Sequence, residues 1–121
     1  MRLRALLLLS LLALACREKV DTARDETLKQ DLVQMRQAIA KYRADTGHYP
    51  PSLEALVPRY LAAIPNDPIT RAKDWRLTTE ESVEPSSDFT TGTSTAPAAV
   101  VVDVHSAASG ADRNGVPYSN Y

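Results

Sequence analysis

Residues 28–51, "LKQDLVQMRQAIAKYRADTGHYPP", carry a helix to its end and then turn a corner. Leu28, Leu32, Met35, Ile39 and Tyr42 recur at intervals of 4, 3, 4 and 3. That spacing places them on one narrow face of an α-helix. Ala38 widens the stripe, and Lys, Arg, Gln, Asp and Glu dominate the remaining positions, as a solvated face requires. Gly47 can adopt the left-handed conformation that ends a helix, and Pro50 and Pro51 forbid continuation.

Working toward the start of the chain, Thr22 followed by Asp25 gives a capping signal with acids in the first turn. The expected helix spans 22–46, a rod of roughly 37 Å. Residues 17–22, "REKVDT", read as a polar tether. The first sixteen residues, "MRLRALLLLSLLALAC", place Arg2 and Arg4 before an apolar run from Ala5 to Ala15. This is the order of a secretory signal. The run is too short to span a bilayer as a helix, which takes about 20 apolar residues. It stops at Ala15-Cys16, and Cys16 is the only cysteine. A small residue before that cysteine resembles the bacterial lipobox, although Ala13-Leu14-Ala15 departs from its commonest order. Cys16 is therefore the expected lipid-attachment residue, and an ordinary export signal with an incidental cysteine is the alternative. A lone thiol offers no internal disulfide.

Working forward from the corner, Ser52 suits an N-cap, and "LEALVPRYL" predicts a short helix over 52–62 with Leu53, Leu56, Val57 and Leu61 inward. "IPNDP" at 64–68 is a turn. "DWRLTTEES" alternates Trp75, Leu77 and Thr79 and predicts a strand over about 74–81. Residues 83–97, rich in Ser, Thr, Pro and Gly, predict a loop. "AAVVVDVHS", with three consecutive valines, predicts a strand over 98–106. The expected fold is thus α+β: a long N-terminal amphipathic helix on a small antiparallel sheet of two to three strands, plus a short second helix, with the folded domain over 23–121. The stripe must cover the sheet, since a two-stranded hairpin alone is barely stable.

The chain has 121 residues, a net charge of −1 and 6% aromatics, so it suits one domain with a small core. No basic footprint argues for nucleic acid. Without Arg2 and Arg4 the balance is 12 basic against 15 acidic residues, or −3.

The order of these elements and their wording resemble the type IV pilin family, and most of all the G-type major pseudopilin of type II secretion. That family ends its long helix with an R-x-A-(I/L)-x-x-Y-(R/K)-x-D-x-G-x-Y-P pattern, and Arg36 through Pro50 match it here. The "SLEAL" of Ser52–Leu56 and the "YLAAIPNDP" of Tyr60–Pro68 follow in the same order, and Val102–Ser106 with Gly110–Gly115 resembles the last strand and its loop. The likeness covers about residues 25–121. It lacks the prepilin processing site and the apolar helix of about 20 residues that packs a fibre core. The resemblance implies a non-enzymatic pseudopilin-like component of type II secretion or type IV pilus machinery. Its partners would be other pseudopilin-like subunits or secretion proteins. With Cys16, it implies an exported, membrane-anchored lipoprotein facing the periplasm. The alternative is a free-standing periplasmic or outer-membrane lipoprotein that uses the fold as a binding module.

No residues stand out as catalytic or cofactor-binding. His48, beside the helix-ending glycine, reads as a surface turn residue. His105 lies near Asp103, Ser106 and Ser109, but Asp103 and His105 share a strand face and no nucleophile elbow surrounds Ser106. The resemblance also implies a C-terminal calcium loop, for which Asp112 and Asn114 could supply oxygens while Gly110 and Gly115 allow the turn. The later acidic residues of the family are missing, so a plain turn is the preferred reading and no metal is assigned. Tyr42, Tyr49, Trp75, Tyr118 and Tyr121 read as packing, with the tail tucked back on the helix. Lys29, Arg36, Lys41 and Arg43 against Asp25, Asp31 and Asp45 read as a solvated face that could also make subunit contacts.

Overall fold

The structure is a computed structural model and describes residues 2–81 and 98–121. The expected loop over 83–97 lies outside the described residues. One helix, α1 (Arg2–Thr46), is followed by a 3₁₀ turn (Glu54–Leu56), an antiparallel hairpin of β1 (Arg76–Glu81) and β2 (Ala99–His105), and a second 3₁₀ turn (Tyr118–Asn120). The mixed helix-and-sheet class is as expected.

Helix α1 is longer than the capping signal at Thr22 indicates. Residues 17–22 are helical rather than a tether, because Ala, Leu, Arg, Glu and Lys upstream are strong helix formers with no glycine or proline among them. At 45 residues the helix is roughly 67 Å long. Among the described residues, no helix is long and apolar enough to cross a membrane. The helix ends where expected. Gly47 sits at φ 86° and its N–H bonds to the carbonyl of Arg43 at 2.8 Å. A Cβ there would meet nothing within 4 Å, so the backbone conformation, not space, demands glycine.

The stripe is buried as predicted: Leu28, Leu32, Met35, Ala38 and Ile39 join Leu53, Leu56, Trp75, Val101 and Val104 in one core. Tyr42 packs at its border. Two expectations differ in detail. The helix over 52–62 shrinks to Glu54–Leu56, and Leu53 rather than Ser52 precedes it, without a side-chain cap. Pro58 is the cause. It lacks the N–H that would bond to Glu54, and it forces Val57 into extended backbone at ψ 139°. Leu56 still reaches the core. The sheet has two strands, β1 beside β2, with one further bridge between Ala111 and Pro117.

The hairpin register breaks between Thr78 and Thr79, which face Asp103 and Val101, so Val102 is the extra residue of a bulge. The bulge lets Val101 and Val104, three apart, both point into the core. The helix packs on β2, and all six residues of β1 are exposed. Leu77 is 38% exposed. On the other side of β2, the N–H of Val101 donates to the carbonyl of Pro50 at 2.8 Å. The proline corner thus flanks the strand.

Candidate functional site

Polar side chains gather at two places, both where β2 and the tail meet other elements. The first is built on Arg36, on the helix, and Asp103, on β2. The guanidinium Nε donates to Asp103 Oδ1 at 2.9 Å and Nη2 to the carbonyl of Val104 at 2.9 Å. His105 Nε2 lies 3.3 Å from the other Asp103 oxygen, and its Nδ1 is 2.7 Å from the carbonyl of Tyr121. Burial by itself would raise the Asp103 pKa, but the Val104 N–H, Arg36 and His105 together hold it below the usual aspartate value. A chain of contacts therefore runs from helix to strand to tail.

Ser106 does not belong to it. Its hydroxyl is fully buried and donates to Asp67 Oδ2 at 2.5 Å, while accepting from the N–H of Ala108 at 3.1 Å. Asp67, also fully buried, accepts from the N–H groups of Ile69 and Thr70 at 2.7 and 3.3 Å through its other oxygen. The 64–72 turn is thereby fastened to the segment after β2. Asp31, on the adjacent helix face, is pushed above its ordinary pKa by burial and then by the charge of Asp67. His105, Asp103 and Ser106 are thus not brought together as a nucleophile, base and orienter.

The second place is the 110–121 loop. Asp112 Oδ1 accepts from the N–H groups of Asn114 and Val116 at 2.8 and 2.9 Å, and Oδ2 accepts from the Tyr121 hydroxyl. The loop closes through the Gly115 N–H to Asp112 carbonyl bond at 3.0 Å and the Asp112 N–H to Val116 carbonyl bond at 2.8 Å. Gly110 and Gly115 take left-handed backbone at φ 94° and 80°. Tyr118 donates its hydroxyl to Asp25, a buried helix carboxylate, at 2.9 Å. Burial, and then this bond to an anion, push the Tyr118 hydroxyl up to about 12. The tail is tucked onto the helix as expected. Asn114 enters through its backbone N–H, within a turn as preferred from the sequence.

The sequence reading located Asp112 and the tyrosines but missed Asp67, Asp25 and the Arg36–Asp103 pair as fastening points. Only Asp67 carried a local signal, an Asp before proline in a turn. His48 is exposed, and its ring lies edge-on to Tyr42 at 5.7 Å. Tyr49 takes the Arg43 guanidinium on its face at 4.4 Å and its hydroxyl accepts from that arginine at 2.7 Å. Arg36 and Arg43 border a shallow groove floored by Ala40 and Ala44 on the helix. The backbone of Cys16 is helical. Among the described residues, no three His, Cys, Asp or Glu side chains are grouped so as to hold a metal ion. Compared with known proteins, the chain matches no family model, no curated protein and no solved structure.

Proposed function

We propose that this protein is a non-enzymatic, pseudopilin-like component of type II secretion or type IV pilus machinery, exported and held at a membrane through Cys16. It works by contact rather than turnover. One observation carries the reading: the Leu28–Ile39 ridge of a long helix is buried under a hairpin from the C-terminal half, and the same helix continues as a rod toward Arg2. Several residues of the segments that carry the likeness tie elements of the fold together. Arg36 ties the helix to β2, Tyr42 meets Tyr60 edge-on with ring centres 5.3 Å apart, Pro50 is buried against β2, and Asp67 pins the turn. These segments therefore specify a scaffold. The exposed helix positions and the groove between Arg36 and Arg43 offer surface to neighbouring subunits or cargo.

Cross-linking in cells tests this reading. Photo-reactive side chains at Ala40 and Ala44, both exposed, are expected to capture pseudopilin or secretion-channel subunits. Capture of nothing but lipid or bulk periplasmic protein would overturn it.

The second reading, a free-standing lipoprotein with a pilin-like binding module, is favoured by Ala15-Cys16 at the end of the apolar run and by the polar residues that follow it. Mass spectrometry of the mature N-terminus tests the anchor that both readings share, and a monomer that captures no secretion or pilus subunit separates this reading from the first. A diacylated or triacylated Cys16 makes it a lipoprotein, and an unmodified start at another residue removes the anchor.

A further inference from the structure

We infer that the 110–121 segment is a metal-independent clasp, in which the Tyr121 hydroxyl, with Lys29 beside it, satisfies the Asp112 carboxylate that a calcium loop would present to its ion. The inference stands apart from the proposed function, since it concerns only how the tail is held on the helix.

Calcium takes six to eight oxygens, several of them from carboxylates with free lone pairs. The residues here do not fit that need. Asp112 already receives three donors, two backbone N–H groups and one phenol. The Lys29 ammonium lies 5.3 Å from the centre of the Tyr121 ring, so a positive charge already stands on that side. Asp21, Asp25 and Asp112 do line one hollow, together with Arg113. Each of the three already has a partner: Asp21 lies 3.8 Å from Arg24, Asp25 accepts the Tyr118 hydroxyl, and both oxygens of Asp112 accept hydrogen bonds. Arg113 reaches across to Thr22 at 3.1 Å. An arginine in the hollow repels a divalent cation.

The clasp is fastened at both ends of Tyr121. Its hydroxyl holds Asp112, and its carbonyl lies 2.7 Å from the His105 ring nitrogen on β2. Its ring lies 6.0 Å from that of Tyr118, which reaches the helix at Asp25. The Tyr121 hydroxyl is held above its ordinary pKa chiefly by its bond to Asp112, and the Asp112 carboxyl below its own by the same bond. Both directions describe a phenol donating to an anion, the arrangement that replaces an ion with a neutral donor.

Thermal unfolding of the full chain, followed by circular dichroism in chelator and in excess calcium, tests this. A filled calcium site would raise the midpoint by several degrees. The clasp predicts the same midpoint in both. Tyr121→Phe and Asp112→Asn are each expected to lower it by about 2–6 °C, and the double variant no further than the lower single one, since both remove one bond. Amide exchange at Asn114 and Val116 should quicken in Tyr121→Phe and ignore chelator. A calcium-dependent midpoint in the wild-type chain, additive losses in the double variant, or a Tyr121→Phe chain indistinguishable from wild type would each overturn the clasp.

Discussion

The two strands of the hairpin share one ladder and live in different surroundings. On β2, Val101 and Val104 are 2% and 0% exposed, whereas all six residues of β1 are exposed. Both strands look suitable for burial, since β1 follows Trp75 with an alternating Leu77 and Thr79. The difference lies in the helix. The helix packs on β2, whose other edge takes the Pro50 carbonyl, and makes no comparable packing with β1. Strand character in the sequence therefore says nothing about which strand carries the core.

Substitutions can break this comparison. The largest effect is expected for Val104→Asp, which buries an unpaired carboxylate among apolar side chains and should cost more than about 3 kcal/mol. Leu77→Asp, opposite it across the ladder but 38% exposed, should cost much less, about 1 kcal/mol. Urea unfolding of the two variants measures both, and equal shifts in midpoint would mean that the helix covers both strands.

A smaller effect should follow from Ser106→Ala, just beyond β2. It leaves one oxygen of the fully buried Asp67 without its donor and should cost about 1–3 kcal/mol. Thr79→Ala on exposed β1 removes a hydroxyl that water can serve, and should cost a few tenths at most. Comparable losses at the two sites would show that the Asp67–Ser106 contact does not fasten the turn.

The smallest effect is pH-dependent. Asp103 titrates below its unfolded value of 3.8, so its contribution to stability is complete above that value and is lost as pH falls through the lower, folded one. Asp103→Asn should therefore flatten the fall in stability below about pH 4, and Arg36→Ala should weaken the same dependence, since Arg36 is one of the groups holding Asp103 ionised. The pair is half exposed, so its worth near neutral pH is about 1 kcal/mol or less. An unchanged acid arm in both variants would mean that Arg36 does not hold Asp103 ionised in the folded chain.

The helix and its end were legible in the residues because their causes are local. The 4, 3, 4, 3 spacing needs only the pitch of a helix, and Gly47 with Pro50 and Pro51 needs only backbone sterics. The start of the helix was misread for a related reason: a capping pair at Thr22 and Asp25 marks a beginning only when the residues before it disfavour helix, and these favour it. At the polar clusters, Asp112 was named only through the family likeness, as a possible calcium ligand, although its partners Asn114 and Val116 lie within four residues. Asp103 with Arg36, and Ser106 with Asp67, are 67 and 39 residues apart, and no local pattern announces such a pair.

By itself, the sequence determined the helical ridge, the glycine-proline corner, two strand-prone segments and a tail built from turns. Tertiary structure alone decided that β2 and not β1 lies under the ridge, and that a bulge at Val102 turns both Val101 and Val104 inward. It also decided that Tyr118 and Tyr121 find Asp25 and Asp112. Periodicity and turn chemistry act over a few residues, whereas burial and pairing depend on which distant surfaces meet, and that is fixed only when the whole chain has packed.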